Sequence, residues 1–91
     1  MNLAPISSII VRPKRQRKLF DEAKLAELRA SIESEVGLLH PIVVRGEADG
    51  LVLVAGERRL RSIQDIYDLG GSIRHAGKAV PPGQVPYVDL G

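Results

Sequence analysis

The spacing of apolar positions changes along the chain, and each change marks an element. Residues 6–11, Ile-Ser-Ser-Ile-Ile-Val, are dense in β-branched side chains and predict a strand. Residues 12–19 carry Pro13 and no apolar period, hence a loop. A helix should open at Phe20-Asp21-Glu22. Asp21 is suited to cap the orphan amides of the first turn. Phe20 before the cap and Leu25 in the fourth helical position form a hydrophobic staple. Leu25, Leu28, Ile32 and Val36 then recur at three- and four-residue steps, which is one helical face. Gly37 should stop this helix in the left-handed conformation.

Pro41 opens a second strand, where a missing amide is tolerated, and Ile42-Val43-Val44 continues it. Residues 46–50 read as a hairpin loop with Asp49-Gly50 as the turn, and residues 51–54 as the returning strand. At Ala55-Gly56 the period switches abruptly, and a second helix begins at Glu57 or Arg58. Leu60, Ile63, Ile66, Tyr67 and Leu69 form its buried face, and Gly70-Gly71 ends it. Residues 70–84 are rich in Gly and Pro and predict a long loop, and residues 85–90 a last strand. The order β-α-β-β-α-β describes a compact α+β domain.

Composition narrows the class. A chain of 91 residues with 44% hydrophobic and 26% charged residues fits one globular domain, residues 1–91. The absence of cysteine removes disulfide scaffolds, thiolate zinc sites and cysteine nucleophiles. His40 and His75 are the only histidines, too few for a His-rich metal site, and no metal ligands are identified. No apolar run reaches membrane-helix length, and the N-terminus lacks a signal-peptide pattern, so a cytoplasmic protein without a membrane partner is expected. The net charge of +2 hides local clusters. Arg12, Lys14, Arg15, Arg17 and Lys18 fall in a loop without acids, and Arg58, Arg59 and Arg61 form a second group. Such clusters suit local anion sites.

The sharpest feature is Val54-Ala55-Gly56-Glu57-Arg58-Arg59-Leu60-Arg61. A strand turns through glycine into a helix N-terminus, whose unsatisfied amides carry partial positive charge. Gly56 lets backbone approach a ligand. Arg58 and Arg59 add planar guanidiniums that match phosphate oxygens. Arginine there opposes the helix dipole, and local preferences are most often broken at functional sites. The plainer alternative is that both arginines cover the helix surface and pair with acids. Glu57 suits the dipole as a helix-start residue, or serves to orient a metal ion or water. The 12–18 loop either follows a nucleic-acid backbone or is simply solvated. It has no interleaved aromatics, so base stacking is not expected there. Phe20 and Tyr67 read as core residues, and His40 as a polar turn residue or a ligand contact.

These motifs resemble the N-terminal domain of ParB-type proteins, in the ParB/sulfiredoxin superfamily. Arg17-Lys18-Leu19-Phe20-Asp21-Glu22 resembles "PRKxFDE". Gly37-Leu38-Leu39-His40-Pro41-Ile42-Val43-Val44 resembles "GxLQPIxV". The segment from Val54 to Arg61 resembles "VAGERRxR", and Val85-Pro86-Tyr87-Val88 the closing "VPVxV" strand. The resemblance implies a mixed sheet packed by two helices. It also implies CTP binding with Mg2+, in DNA partition, chromosome segregation or a related DNA transaction. Gly56, Arg58 and Arg59 would hold phosphates, and Glu57 is the candidate for hydrolysis. Gly37, Leu38, Leu39, His40 and Pro41 would lie on the base side. Arg12, Lys14, Arg15, Arg17 and Lys18 would contact DNA or a partner, which includes a second copy of the chain.

There are departures from the family pattern. His40 stands where glutamine is common, Arg15-Gln16 replaces Gln-Pro, and residues 70–84 look inserted. No helix-turn-helix domain is present in these residues. Sulfiredoxin chemistry needs a cysteine that this chain lacks. Two alternatives remain. One is a metal-dependent nuclease using Glu57, Asp49 and His40. The other is a non-catalytic DNA- or protein-binding module using the basic loop.

Overall fold

A computed structural model describes residues 2–12, 22–34 and 37–90. Its strands are β1 (Leu3–Pro5), β2 (Ile9–Ile10), β3 (Ile42–Glu47), β4 (Gly50–Ala55), β5 (Arg74–His75), β6 (Lys78–Ala79) and β7 (Gln84–Asp89). Its helices are α1 (Glu22–Glu33) and α2 (Glu57–Asp68). The main sheet runs β1-β7-β3-β4-β2. β3 pairs antiparallel with β4 and parallel with β7, and β2 pairs parallel with β4. The α+β class and the mixed sheet with two helices are therefore as expected.

The sheet must curl. β1 and β2 form its opposite edges, yet only the 3-10 turn Ile6–Ser8 separates them. In a flat sheet four strand spacings of about 4.8 Å would set those edges about 19 Å apart. Three 3-10 residues advance only about 6 Å. The single strand expected over 6–11 is instead the 3-10 turn Ile6–Ser8 followed by the two-residue β2, and β1 precedes that span. Ser8 Oγ donates to the Pro5 carbonyl at 2.7 Å, a local bond that competes with extended backbone.

Both helices face the core through leucine and isoleucine. α1 buries Leu25 and Ile32, and α2 buries Leu60, Ile63 and Ile66. Ile32, Ile63 and Ile66 cluster with Ile42, Val44 and Val85 from the sheet. Arg29 bridges the helices by donating to Asp65 at 3.2 Å. The expected cap Asp21, staple Phe20 and face residue Val36 lie outside the described residues. α1 ends at Glu33, so it stops short of Gly37, which is nonetheless left-handed at φ 73°.

α2 ends as the glycine pair predicts. Gly70 N–H donates to Tyr67 O at 3.0 Å and Gly71 N–H to Ile66 O at 2.8 Å, the paired bonds of a Schellman stop. Leu69 is the cap residue and is 81% exposed, so it does not belong to the buried face assigned to it. The β3–β4 loop is also tighter than expected. Gly46 and Glu47 are paired with β4, and only Ala48 and Asp49 form the turn.

The long loop expected over 70–84 contains a hairpin. β5 and β6 pair antiparallel across Ala76 and Gly77, whose φ values of 53° and 77° are both positive, as a type I′ turn requires. Ile73 and Val80 flank it and are buried in the core cluster.

Tyr67 ties α2 to the start of β7, its hydroxyl donating to Gln84 O at 2.7 Å. Burial raises the Tyr67 pKa above its ordinary value of 10.0. The unfolded chain then ionises first, so the stabilisation is whole below about pH 10 and is lost as pH rises through the raised pKa. Alkaline unfolding followed by circular dichroism should therefore be steeper for the wild type than for Tyr67→Phe.

Candidate functional site

The switch from β4 to α2 builds the site. Ala55 ends the strand, Gly56 stands at φ 97° and ψ 26°, and Glu57 begins the helix. A helix cap is usually an extended residue whose side chain accepts a first-turn amide. Here the cap is a left-handed glycine, which has no side chain to accept a first-turn amide at the helix's positive end. Arg58 is exposed, and Glu57 and Arg59 are half-buried. The first turn therefore presents two guanidiniums together with the helix dipole.

Gly56 has a structural reason of its own. A Cβ there would lie 3.2 Å from Ile42 Cγ2 and 3.3 Å from Ile42 Cα. The glycine thus lets the α2 turn press against the first residue of β3. Because β3 and β4 are antiparallel, the start of β3 and the end of β4 fall at the same end of the sheet. The Pro41 end of segment 37–41, which leads into Ile42, is accordingly set at the same end of the sheet as the turn that carries Arg58 and Arg59.

That segment is anchored at one end and open at the other. Gly37 and Leu38 are buried, Pro41 is half-buried, and Leu39 and His40 are exposed. Leu38 N–H donates to Arg74 O at 2.7 Å, and His75 Nδ1 donates to Leu38 O at 2.7 Å. Arg74 and His75 belong to the hairpin within the segment that composition alone predicts as loop. A signal for it exists in the sequence: two apolar residues, Ile73 and Val80, bracket Ala76-Gly77 symmetrically.

The other sequence candidates lie elsewhere. Asp49 sits in the β3–β4 turn, at the opposite end of the six-residue β4 from Glu57. A strand of that length spans about 20 Å, so Glu57, His40 and Asp49 do not converge as the nuclease alternative requires. Among the described residues no three of His, Cys, Asp or Glu gather as a metal-binding group. Arg12 points to the same far end, 2.9 Å from Glu47 and 3.8 Å from Asp49. Lys14, Arg15, Arg17 and Lys18 lie outside the described residues. An exposed pair of this kind contributes about 0–1 kcal/mol. Glu47→Gln should therefore leave the melting temperature within a few degrees of wild type.

The fold and the β4–α2 turn define a class: small α+β domains whose curled mixed sheet passes through glycine into an arginine-bearing helix. A model of the ParB N-terminal domain family matches residues 1–69. The chain belongs to that family. It is 52% identical over 58 residues to the chromosome-partitioning protein Spo0J of Thermus thermophilus, covering 64% of this chain and 21% of that protein. It is 43% identical over 63 residues to a nucleoid occlusion protein of Geobacillus thermodenitrificans, covering 68% of this chain and 22% of that one. The chain thus spans about a fifth of the length of these relatives.

Two structures of the C-terminally truncated chromosome-partitioning protein ParB from Caulobacter crescentus superpose with a TM-score of 0.67. In one, complexed to the centromeric parS site, the match is 28% identical and covers 100% of this chain and 39% of that one. In the other, complexed with CTP-gamma-S, it is 32% identical and covers 97% and 42%. Among the described residues no helix is long and apolar enough to cross a membrane.

Proposed function

We propose that this domain binds a nucleoside triphosphate, CTP in the first place, and serves DNA partition or segregation. The observation that carries the proposal is the glycine-capped N-terminus of α2 with Arg58 and Arg59 in its first turn, set by the Gly56–Ile42 contact at the same end of the sheet as the Pro41 end of segment 37–41. The partition protein similar in fold holds CTP-gamma-S, which supports this choice of ligand.

Each part has a distinct chemical task. The Arg58 and Arg59 guanidiniums donate to phosphate oxygens, and the first-turn amides of α2 add the dipole's positive end. Segment 37–41 borders the base, with Leu39 and His40 exposed towards it. Magnesium, when bound, neutralises phosphate charge. The donor set fits that ion, because Mg2+ is commonly held by phosphates and water with only one or two carboxylates, and Glu57 stands at the same turn. Glu57 would orient a water towards the phosphates in slow hydrolysis. The basic stretch that begins at Arg12 would contact DNA phosphates, giving salt-dependent binding without sequence readout.

The test is calorimetric titration with CTP, UTP, ATP and GTP, with and without magnesium. Selective binding of CTP is expected. A folded sample that binds none of the four would overturn the proposal.

A further inference from the structure

The β5–β6 hairpin lies beyond residues 1–69, where the family match ends. It nevertheless grips the least regular part of the candidate site. Both backbone polar groups of Leu38 end on it: the N–H donates to Arg74 O, and the carbonyl accepts from His75 Nδ1, each at 2.7 Å. A carbonyl can only accept, so the proton of that bond sits on Nδ1 of His75. Gly37 is pressed equally close, since a Cβ there would lie 2.5 Å from Arg74 O. The grip is itself anchored, because Ile73, Val80 and Leu38 are all buried in the same core cluster.

The consequence lies one residue further on. Leu39 is 65% exposed and His40 is exposed, so neither is held by packing. Their position depends on the backbone fixed on one side at Leu38 and on the other at Ile42, against which Gly56 packs. The phosphate half of the site needs no such support, since Arg58 and Arg59 ride on a helix whose N-terminus is set by β4.

We propose that the β5–β6 hairpin is the selectivity element of this site and that His75 is a positioning residue, acting through Leu38 to hold residues 39–41 against the base. The proposal rests on the reading of residues 37–41 as the base side. Removing the His75 bond frees the segment that distinguishes bases and leaves the phosphate contacts in place. Discrimination should therefore fall while the grip on phosphate persists. One net hydrogen bond corresponds to about a three- to tenfold change.

The experiment compares wild type, His75→Ala, His75→Asn and Arg58→Ala. Calorimetry with CTP, UTP and inorganic tripolyphosphate is run beside hydrogen exchange at the Leu38 amide. In His75→Ala the CTP-over-UTP preference should drop about three- to tenfold, tripolyphosphate affinity should hold, and Leu38 protection should fall. An asparagine side chain places an amide N–H where Nδ1 stood, so His75→Asn should restore both preference and protection. Arg58→Ala should lose tripolyphosphate and keep Leu38 protection. If wild type prefers CTP and His75→Ala keeps that preference, the hairpin's role is overturned and the site reading stands. If wild type binds no nucleotide, the site reading falls and the selectivity role falls with it, whatever the exchange data show.

Discussion

Arg58→Ala is expected to weaken nucleotide binding about 10- to 100-fold without loosening the fold, since a charge-assisted hydrogen bond contributes about 1.5–3 kcal/mol. Two physical effects act in opposite directions on this residue. As a ligand group, its guanidinium is well matched to phosphate. As a helix residue it is misplaced, because a cation in the first turn opposes the dipole by about 0.3–1 kcal/mol. It is also exposed, so its removal leaves no cavity. The melting temperature should therefore hold or rise slightly while binding is lost. Arg59→Ala should lose binding similarly, with a small cost in stability because it is half-buried. Arg58→Lys should rescue only part of the loss, since a point charge cannot make the planar two-pronged contact. Calorimetry and thermal melts on the same samples check all three. Unchanged affinity in Arg58→Ala would remove the turn from the site.

Gly37→Ala is expected to give a large loss of stability, on the order of 3 kcal/mol or more. Two causes add. A non-glycine residue at φ 73° costs about 1–2 kcal/mol on conformation alone. The new methyl carbon would also lie 2.5 Å from a backbone oxygen, Arg74 O, which can move away only by breaking the hairpin's contact with Leu38. Gly70→Ala separates these causes. Gly70 has a similar φ of 80°, and nothing lies within 4 Å of its missing Cβ. It should lose only the conformational part, about 1–2 kcal/mol. A domain of this size shifts by roughly 4–8 °C per kcal/mol. Gly37→Ala should thus melt more than about 10 °C below wild type, and clearly below Gly70→Ala. Equal melting temperatures for the two variants would show that the close approach of Arg74 carries no weight.

What was legible in the sequence follows from how far each signal reaches. α2 was legible because Leu60, Ile63 and Ile66 set its period and Gly70-Gly71 its stop, all within one helix. The β4–Gly56–α2 turn was legible for the same reason. The sheet order was not, because the pairing of β1 with β7 and of β2 with β4 joins residues far apart in sequence. The β1 strand and the 3-10 turn were missed because three residues carry no period, and a serine hydroxyl bonded to Pro5 decides the local backbone. The β5–β6 hairpin escaped because two-residue strands show no alternation. Its turn also uses Ala76 rather than the usual Asn or Asp ahead of glycine.

The glycines carry a further lesson. Gly37 and Gly56 both belong to motif segments and invite a ligand-based explanation. In the structure each has a packing reason, Arg74 O for one and Ile42 for the other. The Gly56 contact sets the α2 turn against the start of β3, and the Gly37 contact sets segment 37–41 against the β5–β6 hairpin, so each motif glycine holds a different half of the site in place.

The central claim is that the α2 turn and segment 37–41 form one nucleotide site. It is tested most directly by titrating the 15N-labelled domain with CTP and magnesium while following each backbone amide by NMR. Saturable shifts are expected at Gly56 to Leu60 and at Leu38 to His40, sharing one dissociation constant. Shifts confined to one of these segments, or to the far end of the sheet around Glu47 and Asp49, would contradict it.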